Sequence, residues 1–167
     1  MSRVEPIIEE LLREAKTTRR LLERVPGEKL AWTPHEKSRP LGALAWHIAI
    51  IPARIVRFAQ EDEVDATTVP QPPAPASTAE IVAAFDANVR EAAEILGRFD
   101  DEALGRMFTF RRGGTVIVRA PKAAFLRRVL LNHSVHHRGQ LSVYLRLLDV
   151  PVPSIYGPSA DESAVGE

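Results

Sequence analysis

The chain contains no cysteine, and this absence excludes disulfide bonds, a cysteine nucleophile and cysteine metal ligands together. It also has no excess of charge, because 22 lysine and arginine residues balance 22 aspartate and glutamate residues. Such a balance offers no strong field to a polyanion, so we do not expect nucleic-acid binding. The local basic region RRGGTVIVRAPKAAFLRR could attract an acidic substrate, although a solvated face is the commoner meaning of such a run.

No feature of the chain indicates export or a membrane. The stretch MSRVEPIIEELL has acidic residues where a signal peptide needs an apolar core, and no apolar run approaches the roughly 20 residues of a membrane span. We therefore expect a cytoplasmic protein without membrane contact. With 167 residues, 45% of them hydrophobic, the chain can bury a sizeable core, and we predict one domain over 1–167.

Apolar residues recur at helical spacing in four segments of the chain. The first helix is predicted over about 3–25, where Ser2 and Glu5 have capping-box spacing and PGE ends the pattern. The second is predicted over about 40–60, with Ser38 as its cap. The proline-rich stretch TTVPQPPAPAS that follows excludes helix and favours an extended connection.

Two further helices follow the proline-rich connection. Ser77 and Glu80 repeat the capping-box spacing at the start of a helix predicted to end near 99. A proline opens the last helix, predicted to run without a break over about 121–148, or about 42 Å at 1.5 Å per residue. The tail over 150–167 is predicted to be irregular, with frayed disorder expected beyond about Asp161.

A short β pattern separates the third helix from the last. The β-branched and aromatic stretches MFTF and TVIV stand on either side of RRGG, which predicts a β-hairpin. A hairpin of this size is not stable alone and must lie against the helices. The sequence therefore predicts an all-α fold, a four-helix bundle with a small β-hairpin before the last helix.

The stretch NHSVHHRGQL places three histidines within five positions of the last helix. At 100° per residue, His133, His137, Gln140 and Tyr144 share the apolar face, and His136 lies at its edge. Buried imidazoles need partners, and hydrogen bonds to carbonyls or water are the plain explanation. A bound metal ion is the more specific explanation, because an i, i+4 histidine pair can reach the same ion.

A third histidine, His47, lies in the second helix within LGALAWHIAIIPARIVRF, on the same face as Arg54. Three inward histidines on two helices match the metal sites that helical bundles build from facing helices. Neutral histidine ligands suit zinc, nickel or another late divalent ion, and a three-histidine site leaves positions open for water or substrate.

The remaining polar residues near this face have two interpretations each. His136 could be a spare ligand or a proton shuttle, although a histidine that supports a ligand or lies in an interface is favoured. Gln140 could orient His133 or a bound water, or be an ordinary polar residue of the core. Arg54 and Tyr144 could hold an anionic group of a substrate, or simply extend to the rim of the core. Arg138 points away from the histidine face, where an ion pair or a subunit contact is expected. Gly139 indicates a close approach by a helix or a partner subunit, unless it is merely tolerated.

The motifs LGALAWHIA and NHSVHHRGQLSVYLRLLDVPVPSIYGPS resemble the DinB superfamily of damage-inducible, YfiT-like proteins, over nearly the whole chain. The resemblance implies a four-helix bundle that holds a divalent metal, with His47, His133 and His137 as its ligands, and commonly a homodimer. Some relatives act as thiol transferases that use bacillithiol, mycothiol or glutathione-like thiols, and one related branch isomerises maleylpyruvate.

Carried over to this chain, the resemblance implies an enzyme in which the metal activates a low-molecular-weight thiol toward a small-molecule substrate. A metal-dependent hydrolase that uses a metal-bound water is the alternative reaction. A non-catalytic bundle, with structural histidines and a bound ligand or partner, is the alternative outside enzymes. The SIYGPSADE stretch of the tail could fold over the site or an interface, with Tyr156 as its apolar anchor.

Overall fold

The computed structural model describes residues 3–70 and 72–163. It confirms the predicted four-helix bundle, in which three long helices and a composite last helix enclose the core and a small sheet packs against one end. The elements in chain order are α1 (Glu5–Leu22), a 3₁₀ turn (Gly27–Lys29), α2 (Leu41–Gln60), β1 (Glu63–Asp65), α3 (Thr78–Leu96), α4 (Asp101–Gly105), β2 (Met107–Arg112), β3 (Thr115–Pro121), α5 (Lys122–Phe125), a π-helical segment (Leu126–Asn132) and α6 (His133–Leu147).

The start of α3 follows its sequence signal. Ser77 Oγ accepts a hydrogen bond from the backbone N–H of Glu80 at 3.1 Å, and the Glu80 carboxylate accepts one from the N–H of Ala76 at 2.7 Å. The first bond satisfies a donor of the first helical turn, as the capping box predicts, whereas the second is made one residue before the cap, at Ala76 in place of Ser77. The predicted cap of α1, Ser2, lies outside the described residues.

The start of α2 does not use its predicted cap. Instead of Ser38, the backbone of the preceding loop satisfies the first donors: the N–H groups of Leu41 and Gly42 donate to the carbonyls of Trp32 and Leu30, each at 2.8 Å. Gly42 allows this approach, because an added Cβ would lie 3.0 Å from Leu30 Cβ and 3.1 Å from its carbonyl oxygen. The prediction for Ser38 was wrong because a tertiary contact replaced the local one.

Helix α2 is the central helix of the bundle. By length and composition it could cross a membrane, so the expectation that no apolar run reaches such a span was too strict. Of its most apolar stretch, however, 61% is buried inside the protein. This is the behaviour of a core helix, whose apolar residues face the other helices.

The predicted hairpin is present and is part of a three-stranded sheet. β2 and β3 pair antiparallel around Gly113 and Gly114, whose positive φ values of 53° and 82° are readily adopted by glycine. β1 adds a parallel third strand to β2, which the sequence analysis missed. The hairpin lies against the helices as expected, because Phe108 is fully buried with its ring centroid 4.3 Å from that of Phe125.

The last helix runs without a break from Lys122 to Leu147, close to the predicted 121–148, but it is not α-helical throughout. One turn of α-helix (α5) leads into the π-helical segment Leu126–Asn132, and regular α-helix resumes at His133. In a π-helix each hydrogen bond spans one more residue than in an α-helix, so the helix turns less per residue there. The segment therefore changes the angular relation between α5 and α6.

The tail is irregular over its described part, 150–163, as predicted, but it is tied down at Asp161 and Glu162. Asp161 forms an ion pair with Arg146, and Glu162 forms one with Arg20 at 2.5 Å. The expected fraying beyond Asp161 is therefore wrong at Glu162, and 164–167 lie outside the described residues. Tyr156 is 71% exposed, so it is not the apolar anchor that was expected.

The buried core consists of two clusters along the bundle. The hairpin-end cluster lies toward the sheet and includes Leu11, Ile51, Ile55, Leu96, Phe108, Phe125, Leu126 and Leu130. The loop-end cluster lies toward the loop before α2 and includes Leu21, Leu22, Leu44, Ile48, Ile81, Phe85, Leu141 and Leu145.

Candidate metal centre

The three predicted histidines lie near the junction of the two core clusters. On α2, His47 lies among residues of the loop-end cluster, one turn before Ile51 of the hairpin-end cluster. On the last helix, His133 and His137 fall between the residues that the helix contributes to each cluster. The fold therefore brings together three imidazoles from two helices, although His47 and His133 are 86 residues apart in sequence.

The ring nitrogens of these histidines converge. His133 Nε2 lies 3.3 Å from His47 Nε2 and 3.1 Å from His137 Nε2, and the three potential ligand atoms all lie within 4.8 Å of one another. The rings of His47 and His137 are nearly perpendicular, with centroids 4.6 Å apart. One small ion could contact all three nitrogens.

Gln140 fixes the orientation of one of these rings. Its Oε1 accepts a hydrogen bond from His137 Nδ1–H at 2.7 Å, which leaves the lone pair on His137 Nε2, the nitrogen that faces the cluster. The sequence analysis expected Gln140 to orient His133 or a water, whereas the hydrogen bond is made to His137. Partners of this kind hold metal-binding histidines in the tautomer that the metal requires.

The donor set fits a divalent ion better than it fits hydrogen bonding alone. Two nitrogens at about 2.05 Å from a tetrahedral metal are about 3.3 Å apart, close to the two separations measured from His133 Nε2. A neutral ring nitrogen carries either one proton or one lone pair, so hydrogen bonding satisfies at most one of these two contacts. A metal ion would accept a lone pair from each of the three rings.

The surroundings keep these imidazoles neutral. Burial lowers the pKa of His47 to about 3 and that of His133 to about 4, and it also lowers the pKa of His137. The positive charge of Arg39 disfavours protonation of all three rings as well. At neutral pH the lone pairs are therefore available without competition from protons.

The other predicted residues lie near the cluster but do not converge on it. His136 is exposed, and its ring stacks at 6.4 Å from that of His133. Tyr144 Oη donates to the backbone carbonyl of Arg39 at 3.3 Å, so it holds the loop before α2. Arg54 lies about two helical turns beyond His47 on α2, with its guanidinium 5.8 Å from the ring of Phe58.

Arg138 makes the ion pair that was one of its two expected roles. It is 1% exposed, its Nη2 lies 2.7 Å from Glu14 Oε2, and its Nη1 donates to Thr18 Oγ1 at 3.3 Å. The Glu14 oxygen lies off the direction of the N–H bonds, so this contact is an ion pair and not a hydrogen bond. The Tyr156 ring covers the guanidinium at 4.8 Å.

A cavity of about 500 Å³ opens beside the histidines, between α2 and the hairpin. His47 and His133 form part of its wall, so the cluster has an open side. No aspartate or glutamate is among the described residues that line it. The lining residues are Arg39, His47, Ile50, Ile51, Arg54, Ile55, Phe58, Ala66, Phe110, Arg112, Ile117, Val129 and His133.

Two of the cavity arginines were missed as site residues by the sequence analysis. Arg39 stands in an irregular loop that carries no periodic signal, and Arg112 was treated only as part of a basic run. Arg39 reaches the site because its loop packs on α2, and Arg112 reaches it because the hairpin packs on the bundle. The basic run itself was the one signal that could have pointed to Arg112.

Comparisons of this chain with known proteins agree on one family. The family model described as the DinB family matches residues 1–167. The chain is 27% identical over 152 residues to the uncharacterized protein YrdA of Bacillus subtilis strain 168, covering 90% of this chain and 86% of that protein.

Solved structures agree with the sequence match. A DinB-like protein from Bacillus cereus ATCC 10987 superimposes with a TM-score of 0.74 and 25% identity, over 91% of this chain and 97% of that one. The DinB-like protein YjoA of Bacillus subtilis gives 0.70 and 19% identity, over 88% and 96% of the two chains. With the match to the family model over its whole length, this chain belongs to the DinB family.

Proposed function

We propose that the protein is a divalent-metal-dependent enzyme that transfers a low-molecular-weight thiol to an electrophilic small molecule. The metal, zinc or nickel, would be held by His47, His133 and His137. The observation that carries the proposal is the convergence of three neutral imidazole nitrogens beside an open cavity. A site with three protein ligands and an open side is the arrangement that metalloenzymes use for catalysis, whereas closed four-ligand sites are structural.

The chemistry follows from what the chain lacks and what the site provides. A bound divalent ion lowers the pKa of a coordinated thiol and so supplies a thiolate at neutral pH. Because the chain has no cysteine, the nucleophilic sulfur has to come from a substrate. The thiol proton leaves to solvent, the sulfur forms a bond to the electrophilic carbon, and the leaving group departs with the electron pair of its bond.

The residues around the cluster have separate tasks in this proposal. Gln140 holds the ring of His137 so that its Nε2 faces the cluster. Arg39 and Arg54 add positive charge beside His47, which favours an anionic sulfur over a neutral thiol. The isoleucines of α2 exclude water from the wall of the cavity, which strengthens these electrostatic effects.

Metal content is the first test. Untagged protein purified at neutral pH is expected to carry about one divalent ion per chain by elemental analysis, and the double variant His133→Ala, His137→Ala is expected to carry none. His35→Ala is the matched control, because His35 lies exposed in the loop before α2. A parent protein that contains no metal and takes up neither zinc nor nickel would contradict the proposal.

Thiol transfer is the second test. The metal-loaded protein is expected to accelerate the consumption of a small thiol by 1-chloro-2,4-dinitrobenzene, with one chloride released for each carbon–sulfur bond formed. The rate should fall to background in the double histidine variant and stay unchanged in the His35→Ala control. Metal-dependent ester hydrolysis without any thiol consumption would instead favour the hydrolase alternative.

The proposal also includes the oligomeric state and the cellular location of the enzyme. We propose a homodimer formed through α6, whose exposed face carries Gly139, Val143 and Leu147 at successive four-residue intervals. Among the described residues, no atom outside the adjoining backbone of α6 lies within 4 Å of a Cβ built on Gly139, so a second helix could approach there. Light scattering of Val143→Asp, Leu147→Asp should give monomers. A cytoplasmic location, consistent with the absence of cysteine, belongs to the same proposal.

A further inference from the structure

The cavity beside the histidines carries an uneven distribution of charge. Three arginines, Arg39, Arg54 and Arg112, approach it from the loop before α2, from α2 itself and from the end of β2. No acidic residue is among its described lining residues. The rest of the wall is largely apolar and consists mainly of isoleucine and phenylalanine side chains.

Two of these arginines lack the ion pairs that their neighbours make. Within the described part of the chain, neither Arg39 nor Arg112 has a carboxylate within ion-pair distance. Arg57, one turn along α2, and Arg111, next in sequence, both pair with glutamates, at 2.5 and 2.8 Å. Like charges gathered at one cavity repel unless an anion lies between them.

The third arginine, Arg54, is partly buried, and burial lowers its pKa. Arg39 is held in place through its backbone, since its carbonyl accepts the hydrogen bond from Tyr144 Oη. The ring of Tyr144 in turn contacts that of Trp32 edge-on, with centroids 5.7 Å apart.

We propose that this cavity binds a small organic carboxylate, with the carboxylate held by Arg39, Arg54 and Arg112 and an apolar body against the isoleucines of α2. The inference rests on the proposed metal-dependent function and names the class of its substrate. A guanidinium presents paired donors that match the two oxygens of a carboxylate. The volume of about 500 Å³ lies in the range of small-molecule sites.

The test compares an acid with its neutral isostere. Zinc-loaded protein is titrated calorimetrically with 3-phenylpropionate and with 3-phenylpropionamide, which differ in charge and not in size. The acid is expected to bind at least 10-fold more tightly, and its affinity should fall as salt is raised from 20 to 500 mM because the arginines are accessible to solvent ions. Equal affinities of acid and amide would overturn the proposal.

Variants assign the effect to the arginines. Arg39→Gln, Arg112→Gln is expected to weaken binding of the acid about 10-fold and to leave the amide unchanged. Arg57→Gln is the control substitution. Arg57 lies on α2 with Arg54, but it is ion-paired with Glu91 and does not line this cavity. Thermal unfolding of each variant checks that the fold is retained. An acid affinity that is the same in the double arginine variant as in the parent would overturn the assignment.

Additional binding experiments distinguish a failure of this inference from a failure of the proposed function. The metal-free His133→Ala, His137→Ala variant is expected to keep its preference for the acid, and loss of that preference would place the carboxylate on the metal instead. If the parent binds no metal but still prefers the acid through its arginines, the proposed function fails and the anion site stands. Phenyl phosphate binding 10-fold more tightly than the carboxylate would overturn the choice of anion.

Discussion

The metal-free protein is expected to lose stability as the pH falls from 7.5 to 5.5. In the unfolded chain His47 and His133 have ordinary pKa values near 6.5 and take up most of a proton each across this range. In the folded protein, burial lowers their pKa values to about 3 and about 4, so they take up almost none. The unfolded state therefore binds more protons, and stability falls as the pH drops through 6.5.

The size of this effect can be worked from the pKa values. Linkage gives about 1.4 kcal/mol for each histidine between pH 7.5 and 5.5. Both rings are partly exposed, and solvent screening reduces the figure, so we expect a total loss of about 1.5 kcal/mol for the pair. The carboxyl groups with lowered pKa values, such as those of Asp62 and Asp161, titrate below this range and do not contribute.

Urea unfolding followed by circular dichroism, with EDTA present at both pH values, measures the change. The variant His47→Gln, His133→Gln removes these two groups and should remove most of the pH dependence, leaving the contribution of His137, whose pKa burial also lowers. Saturating zinc at pH 7.5 should raise the free energy of unfolding of the parent by about 2.7 kcal/mol at 100 times the Kd. The reasoning fails if the metal-free parent has the same free energy of unfolding at pH 7.5 and 5.5.

Three further predictions test single contacts. Gln140→Ala should weaken zinc binding roughly 10–100-fold in a chelator competition, because the ligand ring loses its acceptor, while Gln140→Glu should retain it; equal affinities would refute this. Ser77→Ala should cost about 1 kcal/mol in urea unfolding, whereas Ser38→Ala should change it by less than about 0.5 kcal/mol; equal effects would contradict the assigned caps. Arg138→Met should cost about 2 kcal/mol, because the partly buried Glu14 carboxylate keeps only the Tyr156 hydroxyl as a partner, and adding Glu14→Gln should recover part of the loss; a cost below about 1 kcal/mol would count against the pair.

The sequence was sufficient for the bundle and for the histidine cluster, for a local reason. His133 and His137 both lie within α6, after the π-helical segment, so the regular spacing of 100° per residue describes their mutual direction correctly. His47 lies in a long helix that is apolar on most sides, so a histidine on its inward face could be recognised from the sequence. Periodic patterns of this kind depend only on the residues of one helix.

The features that were missed depend on contacts between distant parts of the chain. The π-helical segment has the same apolar composition as the α-helix that was predicted, so its hydrogen-bond pattern leaves no trace in the periodicity. Strand β1 has three residues, too few to show an alternation, and it pairs with residues more than 40 positions away. The grouping of Arg39 with Arg112 similarly depends on a loop and a hairpin that meet only in the folded chain.

The position of the histidines near the junction of the two core clusters bears on how fast a metal ion bound there would be released. Folded domains open in partial units before they unfold completely, and each core cluster is a natural unit of that kind. His47 lies on the part of α2 that packs in the loop-end cluster, whereas His133 and His137 lie between the two clusters on the last helix, so the opening of the loop-end half would separate the three rings. The lifetime of a bound ion would then be limited by the stability of that half, and substitutions in the loop-end cluster should shorten it.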